Sequence, residues 1–243
     1  MAFDLASLAG KTIIVGGATG QLGAVVVKAA LHAGARVAIP VRKAWQVDKV
    51  KAAYPGAPLL VGCVGELDGE ASAGFAKGVN AALSGIDALL CCNGAFAASA
   101  IGRDPAGELQ ELMTANVLAV ANLARGAIGV MKRKKRGAIV CVGSAGVGHG
   151  GANVANYLAS KAALHEWVRS LAVELQGTGV RAAAVLAGTM DTESNRRAMP
   201  DADTTQWLPL EHVANAMFAA AFAPTGHGPL FPVAAPSTAA RGN

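Results

Sequence analysis

Ser144, Tyr157 and Lys161 stand thirteen and then four residues apart in GSAGVGHGGANVANYLASK, a stretch otherwise made of glycine, alanine, other small residues and a few polar ones. A four-residue step on a helix puts Tyr157 and Lys161 on one face. A phenol with an ordinary pKa of about 10 is a poor acid-base group at neutral pH, but a neighbouring ammonium favours its phenolate. The pair reads as a proton donor and acceptor.

A second stretch, VGGATGQLG at residues 15 to 23, leaves the first apolar run and opens a helical pattern. Gly17 permits a tight turn, Gly20 lets the backbone approach a pyrophosphate, and Gly23 allows close helix packing. With Thr19, Gln21 and Leu22 this segment is expected to cradle a dinucleotide. The second apolar run ends in AIPVRK, with Val41 where NAD enzymes usually offer a carboxylate and Arg42 and Lys43 directly after. A carboxylate would repel a 2′-phosphate, whereas Arg42 can grip one by paired hydrogen bonds. NADP(H) is therefore favoured over NAD(H), and its nicotinamide, when positively charged, would further favour the Tyr157 phenolate.

Short apolar runs alternate with helical patterns along the whole chain. Strands are expected at KTIIVGG, ARVAIPV, APLLVGCV, IDALLCCN, GAIVCVGS, VRAAAVLAG and GPLFPV, with helices over about 20–33, 43–53, 69–83, 107–134, 153–176 and 210–222. Strands apolar on nearly every residue belong to a sheet covered on both faces. The expected fold is α/β, a Rossmann-like doubly wound three-layer sandwich with a mainly parallel seven-stranded sheet. No linker divides the chain, so residues 1–243 are expected to form one domain. The polar, proline-containing segment 188–209 interrupts the alternation and reads as a substrate loop or lid.

In this order of elements the chain resembles the short-chain dehydrogenase/reductase family over essentially its whole length. The resemblance rests on the glycine turn, Asn116 in the long helix, Ser144 after the fifth strand, Tyr157 with Lys161, and AGTMDT where the family usually has Pro-Gly and a nearby threonine. It implies that Tyr157 protonates a carbonyl oxygen while hydride arrives from the nicotinamide, and that Ser144 hydrogen-bonds the same oxygen. Lys161 would lower the Tyr157 pKa and hold the nicotinamide ribose, and Asn116 would support a proton relay through water. Asn93, Gly94, Gly188, Met190 and Thr192 fall where the family contacts the cofactor.

The chain also departs from the family's usual pattern. Cys91-Cys92-Asn93-Gly94 stands for Asn-Asn-Ala-Gly, Cys63 for an aspartate near adenine, Ala187 for a proline, and Gln21 for a glycine. Residues 190–211 are similar to a segment of dihydropteridine reductases and of a bacterial group of uncharacterised short-chain reductases; dihydropteridine reductases generally lack the serine and prefer NADH. Ser144 and Arg42 point instead to a ketone or aldehyde reductase. A nucleotide-sensing module without turnover is a third reading, opposed by the intact Ser, Tyr and Lys set.

For the substrate side, Phe96, His149, Met199 and Trp207 are candidates, although Met199 and Trp207 would serve equally to pin the lid. Asp191 is expected to cap a short helix after it. Hydrophobic residues make up 53% of the chain, with 30 glycines and a net charge of +5. That composition suits a compact α/β interior and an anionic ligand. The basic run KRKKR at 132–136 reads as the solvated end of a helix, so no nucleic acid partner is expected. Neither a signal peptide nor an uninterrupted apolar stretch of about 18 residues is evident, which leads to an expectation of a cytoplasmic protein off the membrane. Cys63, Cys91, Cys92 and Cys141 match no zinc spacing and read as reduced core thiols, Cys91 and Cys92 on opposite strand faces. His32, His165, His212 and His227 share no ligand spacing either, so no metal is expected. The two long helices are the surfaces through which the family forms homodimers and homotetramers.

Overall fold

Among the described residues seven short strands, the central ones buried on both faces and the edge strands β3 and β7 partly exposed, pair in parallel in the order β3-β2-β1-β4-β5-β6-β7. They are β1 (Thr12–Gly16), β2 (Arg36–Val41), β3 (Leu59–Cys63), β4 (Ala88–Cys91), β5 (Gly137–Ser144), β6 (Val180–Ala187) and β7 (Leu230–Pro232). This computed structural model describes residues 3–65, 68–223 and 228–233. His227 lies outside them. Every pairing is parallel, so the expected seven-stranded doubly wound sheet is found, with no antiparallel strand among the described residues.

Strand alternation sends side chains into two cores. Ile13, Val15, Leu90, Val140 and Val142 face one layer, covered by α1 (Gln21–His32) and α8 (Leu210–Phe222). Ile14, Leu89, Ile139 and Cys141 face the other, covered by α3 (Gly69–Leu83), α5 (Ala119–Lys134) and α6 (Ala155–Glu174). The remaining helices are α2 (Trp45–Ala53), α4 (Glu108–Met113) and α7 (Glu193–Ala198). A 3-10 turn at Leu5–Leu8, capped by Asp4, precedes β1.

The helix expected over 107–134 is interrupted. α4 and α5 are joined by a π-helical turn, Thr114–Leu118, that contains Asn116. As one apolar rod, Glu108–Lys134 is long and apolar enough to cross a membrane. Here its inner face, Val120, Leu123, Ala124, Ala127, Val130 and Met131, is packed on the sheet. The basic run ends this helix: Lys132 to Lys134 occupy its last turn, Lys135 takes a left-handed conformation at φ 50°, and Arg136 pairs with Asp87 at 3.2 Å.

Cys91 and Cys92 do point to opposite faces. Cys91 is buried beside Cys141 in one core, and Cys92 packs on the other with its Sγ 3.9 Å from the Met217 sulfur. All four cysteines are free, but Cys63 is exposed and so is not a core thiol. It ends the edge strand β3, which has a neighbour on one side only, and its Sγ meets the Arg42 carbonyl at 3.4 Å.

Candidate active site

Parallel strands deliver their following loops to one edge of the sheet, and β1 and β4 are neighbours from which successive crossovers run in opposite directions. That reversal opens a crevice at the carboxyl ends of the strands. The glycine turn after β1, Arg42 after β2, Asn93 and Gly94 after β4, Ser144 at the end of β5 and Gly188 after β6 all lie on this rim.

Gly17 has φ +72°, and a Cβ there would stand 2.7 Å from the Asn93 nitrogen. Only glycine fits a position that combines a left-handed conformation with such an approach. Gly23 is buried directly on Gly17, so the turn and α1 are held together without side chains. Thr19 and Gly20 remain exposed at the turn, whereas Leu22 is buried in the core, so its side chain is unavailable to a cofactor. The expected contact of Leu22 with the cofactor is thus not made by its side chain.

Beside this turn a narrow cleft is lined by Pro40, Arg42, Val64, Asn93 and Leu123. Its chemistry suits an adenosine: the apolar Pro40, Val64 and Leu123 beside the polar Ser72 and Asn122, the exposed Arg42 cation, and Asn93 Oδ1, a buried acceptor with no hydrogen-bond partner among the described residues. A ribose hydroxyl would satisfy that oxygen. Gln46 Oε1 accepts the backbone N–H groups of Arg42 (3.1 Å) and Lys43 (2.9 Å), fixing the start of the loop that presents them. The residues present therefore fit a dinucleotide.

On the other side of the crevice, Tyr157 is half-buried and Lys161 only 4% exposed, on the same face of α6. Lys161 Nζ lies 5.9 Å from the Tyr157 ring centroid and donates to the Val142 carbonyl at 3.0 Å. Burial lowers the Lys161 pKa to about 8. Lys161 does not lower the Tyr157 pKa in this arrangement. Burial raises the phenol above its usual value, and the hydrogen bond with Ser144 offsets this in part. Burial therefore keeps Tyr157 a neutral acid at neutral pH. Phe96 stands edge-on to it, ring centroids 4.9 Å apart, and is itself 58% exposed.

Asn116 is fully buried. Its Oδ1 accepts from the Ala95 N–H at 2.8 Å, and its Nδ2 donates to the Ala95 carbonyl (3.1 Å) and to Ser160 Oγ (2.8 Å). Both amide hydrogens are occupied, so this side chain fastens the segment after β4 to α6 rather than presenting a polar end to water. Gly94 packs against the same group: a Cβ there would lie 3.0 Å from Asn116 Oδ1 and 3.4 Å from Lys161 Nζ.

The segment 188–209 has more structure than its composition suggests. Leu208 N–H donates to the Thr189 carbonyl and Asp191 N–H to the Leu208 carbonyl, both at 2.8 Å, closing the base of the segment. Thr192, not Asp191, caps α7, its hydroxyl accepting from the Asn195 N–H at 3.1 Å. Asp191 instead forms a two-pronged pair with Arg196, at 2.6 and 2.7 Å, because Arg196 one turn on presents a matching fork. Asn195 Nδ2 donates to the Met190 carbonyl at 2.8 Å. Trp207 is 6% exposed beside the core residue Leu208, so it anchors the segment; Met199 and His149 are exposed.

Gln21 reaches across to this segment. Its Oε1 accepts from the Glu193 N–H at 3.0 Å and its Nε2 donates to Ser194 Oγ at 3.3 Å. The residue that departs from the usual glycine thus ties the dinucleotide turn to the first turn of α7. Two exposed neutral hydrogen bonds contribute about 1 kcal/mol each at most, so Gln21→Ala is expected to speed cofactor dissociation roughly 3- to 10-fold. Stopped-flow displacement would measure it, and an unchanged rate would mean the tie has no part in holding the segment.

Ser144 completes the group. It is 8% exposed, its Oγ accepts from the Gly146 N–H at 3.2 Å, and its own N–H donates to His165 Nε2 at 3.1 Å. A hydroxyl, a neutral phenol and a buried ammonium now converge beside a dinucleotide crevice. A profile of the short chain dehydrogenases matches residues 11–203. The chain belongs to the short-chain dehydrogenase/reductase family. It is an NAD(P)-dependent oxidoreductase acting on CH–OH groups.

Among members of this family, the chain is 28% identical over 197 residues to the vibriobactin-specific 2,3-dihydro-2,3-dihydroxybenzoate dehydrogenase of Vibrio cholerae, covering 78% of this chain and 73% of that one. It is 33% identical to a dihydropteridine reductase of Dictyostelium discoideum over 93 residues, 37% of this chain and 40% of that one. The solved structure of ElxO with NADP bound superposes with a TM-score of 0.82 at 16% identity, covering 92% of this chain and 96% of that one. That likeness is one of fold.

His165 shows no ligand spacing in the sequence, yet it lies at the site. It is 3% exposed, and burial followed by the Lys161 and Arg169 charges lowers its pKa from 6.5 to about 4. In the folded protein it stays neutral where the unfolded chain would take up a proton. Stability is therefore expected to fall as pH drops from about 6.5 towards about 4, by on the order of 3 kcal/mol across that window. Urea unfolding at pH 7 and pH 4.5 checks this, since His165→Gln should flatten the slope.

Proposed function

We propose that this protein is an NADP(H)-dependent reductase that interconverts a ketone or aldehyde and the corresponding alcohol. The observation that carries the reading is the convergence of Ser144, Tyr157 and Lys161 on one side of a crevice whose other side presents Arg42. When bound, the nicotinamide supplies or accepts the hydride at the carbonyl carbon. Tyr157 Oη gives its proton to the carbonyl oxygen in reduction and takes it back in oxidation. Ser144 Oγ donates a hydrogen bond to that oxygen as negative charge develops on it. Lys161, buried beside Tyr157 with its Nζ 5.9 Å from the ring centroid, would hold the nicotinamide ribose. Asn116 keeps the strand exit and α6 in register, and Phe96, edge-on to Tyr157 and largely exposed, forms an apolar wall for the group beside the carbonyl.

Arg42 at the cleft supports preference for the 2′-phosphate of NADP(H). A pterin reductase with NADH is the second reading, favoured by the partial similarity to a dihydropteridine reductase. The buried Ser144 weighs against it. We further propose a cytoplasmic protein, as its free thiols suit a reducing compartment. Association into dimers or tetramers would use the outer faces of the long helices, where Leu109, Leu118 and Val173 stand exposed. Fluorescence titration with NADPH and NADH side by side tests the cofactor reading. Tighter NADPH binding is expected, and NADH preference with turnover of quinonoid dihydropterin would transfer the case to the second reading.

A further inference from the structure

One buried titratable side chain of the crevice has no part in the chemistry above. β4 ends at Cys91, opposite Cys141, whereas β5 runs on to Ser144. On its other side β5 stays paired, and the Ala145 N–H donates to the Ala187 carbonyl. Alternate residues of a strand direct their backbone groups to the same side, so Val142 and Ser144 both turn towards the place where β4 has stopped. Those groups are buried and need partners. α6 provides both: Lys161 Nζ takes the Val142 carbonyl at 3.0 Å, and His165 Nε2 takes the Ser144 N–H at 3.1 Å.

Tyr157, Lys161 and His165 thus form a stripe at steps of four on α6. The imidazole sits hard against backbone, because any side chain at Gly143 would collide with its Nε2 and with Leu186. An Nε2 that accepts a hydrogen bond leaves the proton of the neutral ring on Nδ1. We infer that His165 is a positioning residue for the proposed reduction: its Nε2 lone pair holds the Ser144 backbone, and through it the Ser144 hydroxyl, at the carbonyl oxygen. The inference rests on the oxidoreductase reading and adds to it a residue that touches neither substrate nor cofactor.

The test is a mutant cycle with one spectroscopic measurement. His165→Leu is expected to lower kcat by roughly 10- to 100-fold, the cost of a misplaced catalytic hydroxyl, with NADPH affinity unchanged. His165→Gln, whose amide oxygen can accept from the Ser144 N–H, is expected to restore kcat to within about 3-fold. In a Ser144→Ala background, His165→Leu should add less than about 2-fold, because its effect runs through Ser144. A merely structural histidine would give losses of similar size in both backgrounds and no rescue by glutamine, and either result overturns the inference. If His165→Leu does not fold, the ¹⁵N spectrum of the unaltered protein's histidines decides. An Nδ1-protonated, Nε2-bare His165 at neutral pH supports the assignment, and an Nε2-protonated ring overturns it. This spectrum needs no turnover, so an inactive wild-type enzyme would count against the oxidoreductase reading separately.

Discussion

Tyr157→Phe is expected to lower carbonyl reduction by about 10³-fold, the scale of a lost general acid, while leaving NADPH affinity within about 2-fold. The separation follows from the geometry. The ring and its edge-on contact with Phe96 survive the substitution, and only the hydroxyl is removed. The direction of the Tyr157 shift adds a pH signature. A phenol raised by burial is protonated at neutral pH, ready to donate, so reduction should be flat there and decline as pH rises through its pKa. Oxidation of the alcohol needs the phenolate and should climb over the same range. Steady-state kinetics in both directions reads both effects, and near-normal rates in the variant would remove Tyr157 from the mechanism.

Arg42→Asp is expected to weaken NADPH binding by roughly 100-fold or more while changing NADH affinity by only about 3-fold, reversing the preference. Charge-assisted hydrogen bonds from the guanidinium to a 2′-phosphate are lost, and a carboxylate that repels phosphate but accepts from ribose hydroxyls takes their place. The exchange belongs at position 42. Val41, where the sequence pattern places the acidic residue of NAD enzymes, is 3% exposed and closed into the core with Val15 and Ile39, so a carboxylate there would be buried. Titration of both cofactors against the variant measures the switch. Unchanged preference would show that the 2′-phosphate is recognised elsewhere.

The parallel sheet was legible because its central strands are buried on both faces and show no polar alternation, as in Ile13-Ile14-Val15. The Tyr157 and Lys161 pair was legible because helical spacing alone fixes their common face. Other features depend on facts that no local pattern holds. The π-helical turn at Asn116 is one extra residue in an apolar stretch and leaves the periodicity nearly intact. Gln21 meets its partners in the segment 188–209, more than 170 residues further along the chain. His165 lies four residues past Lys161, a spacing visible in the sequence, but its partner exists only because β4 stops short of β5. Cys63 is exposed because β3 became the edge strand, which the crossover order decides.

The central claim is hydride transfer between NADP(H) and a carbonyl carbon, and deuterium tracing tests it most directly. NADPH deuterated at the transferable position would be incubated with the enzyme and a panel of ketones and aldehydes, and the products analysed by mass spectrometry. One deuterium is expected on the carbinol carbon of at least one product, lost with Tyr157→Phe. Tight NADPH binding with no label transferred to any carbonyl would contradict that claim and leave a nucleotide-sensing protein in the fold of an oxidoreductase.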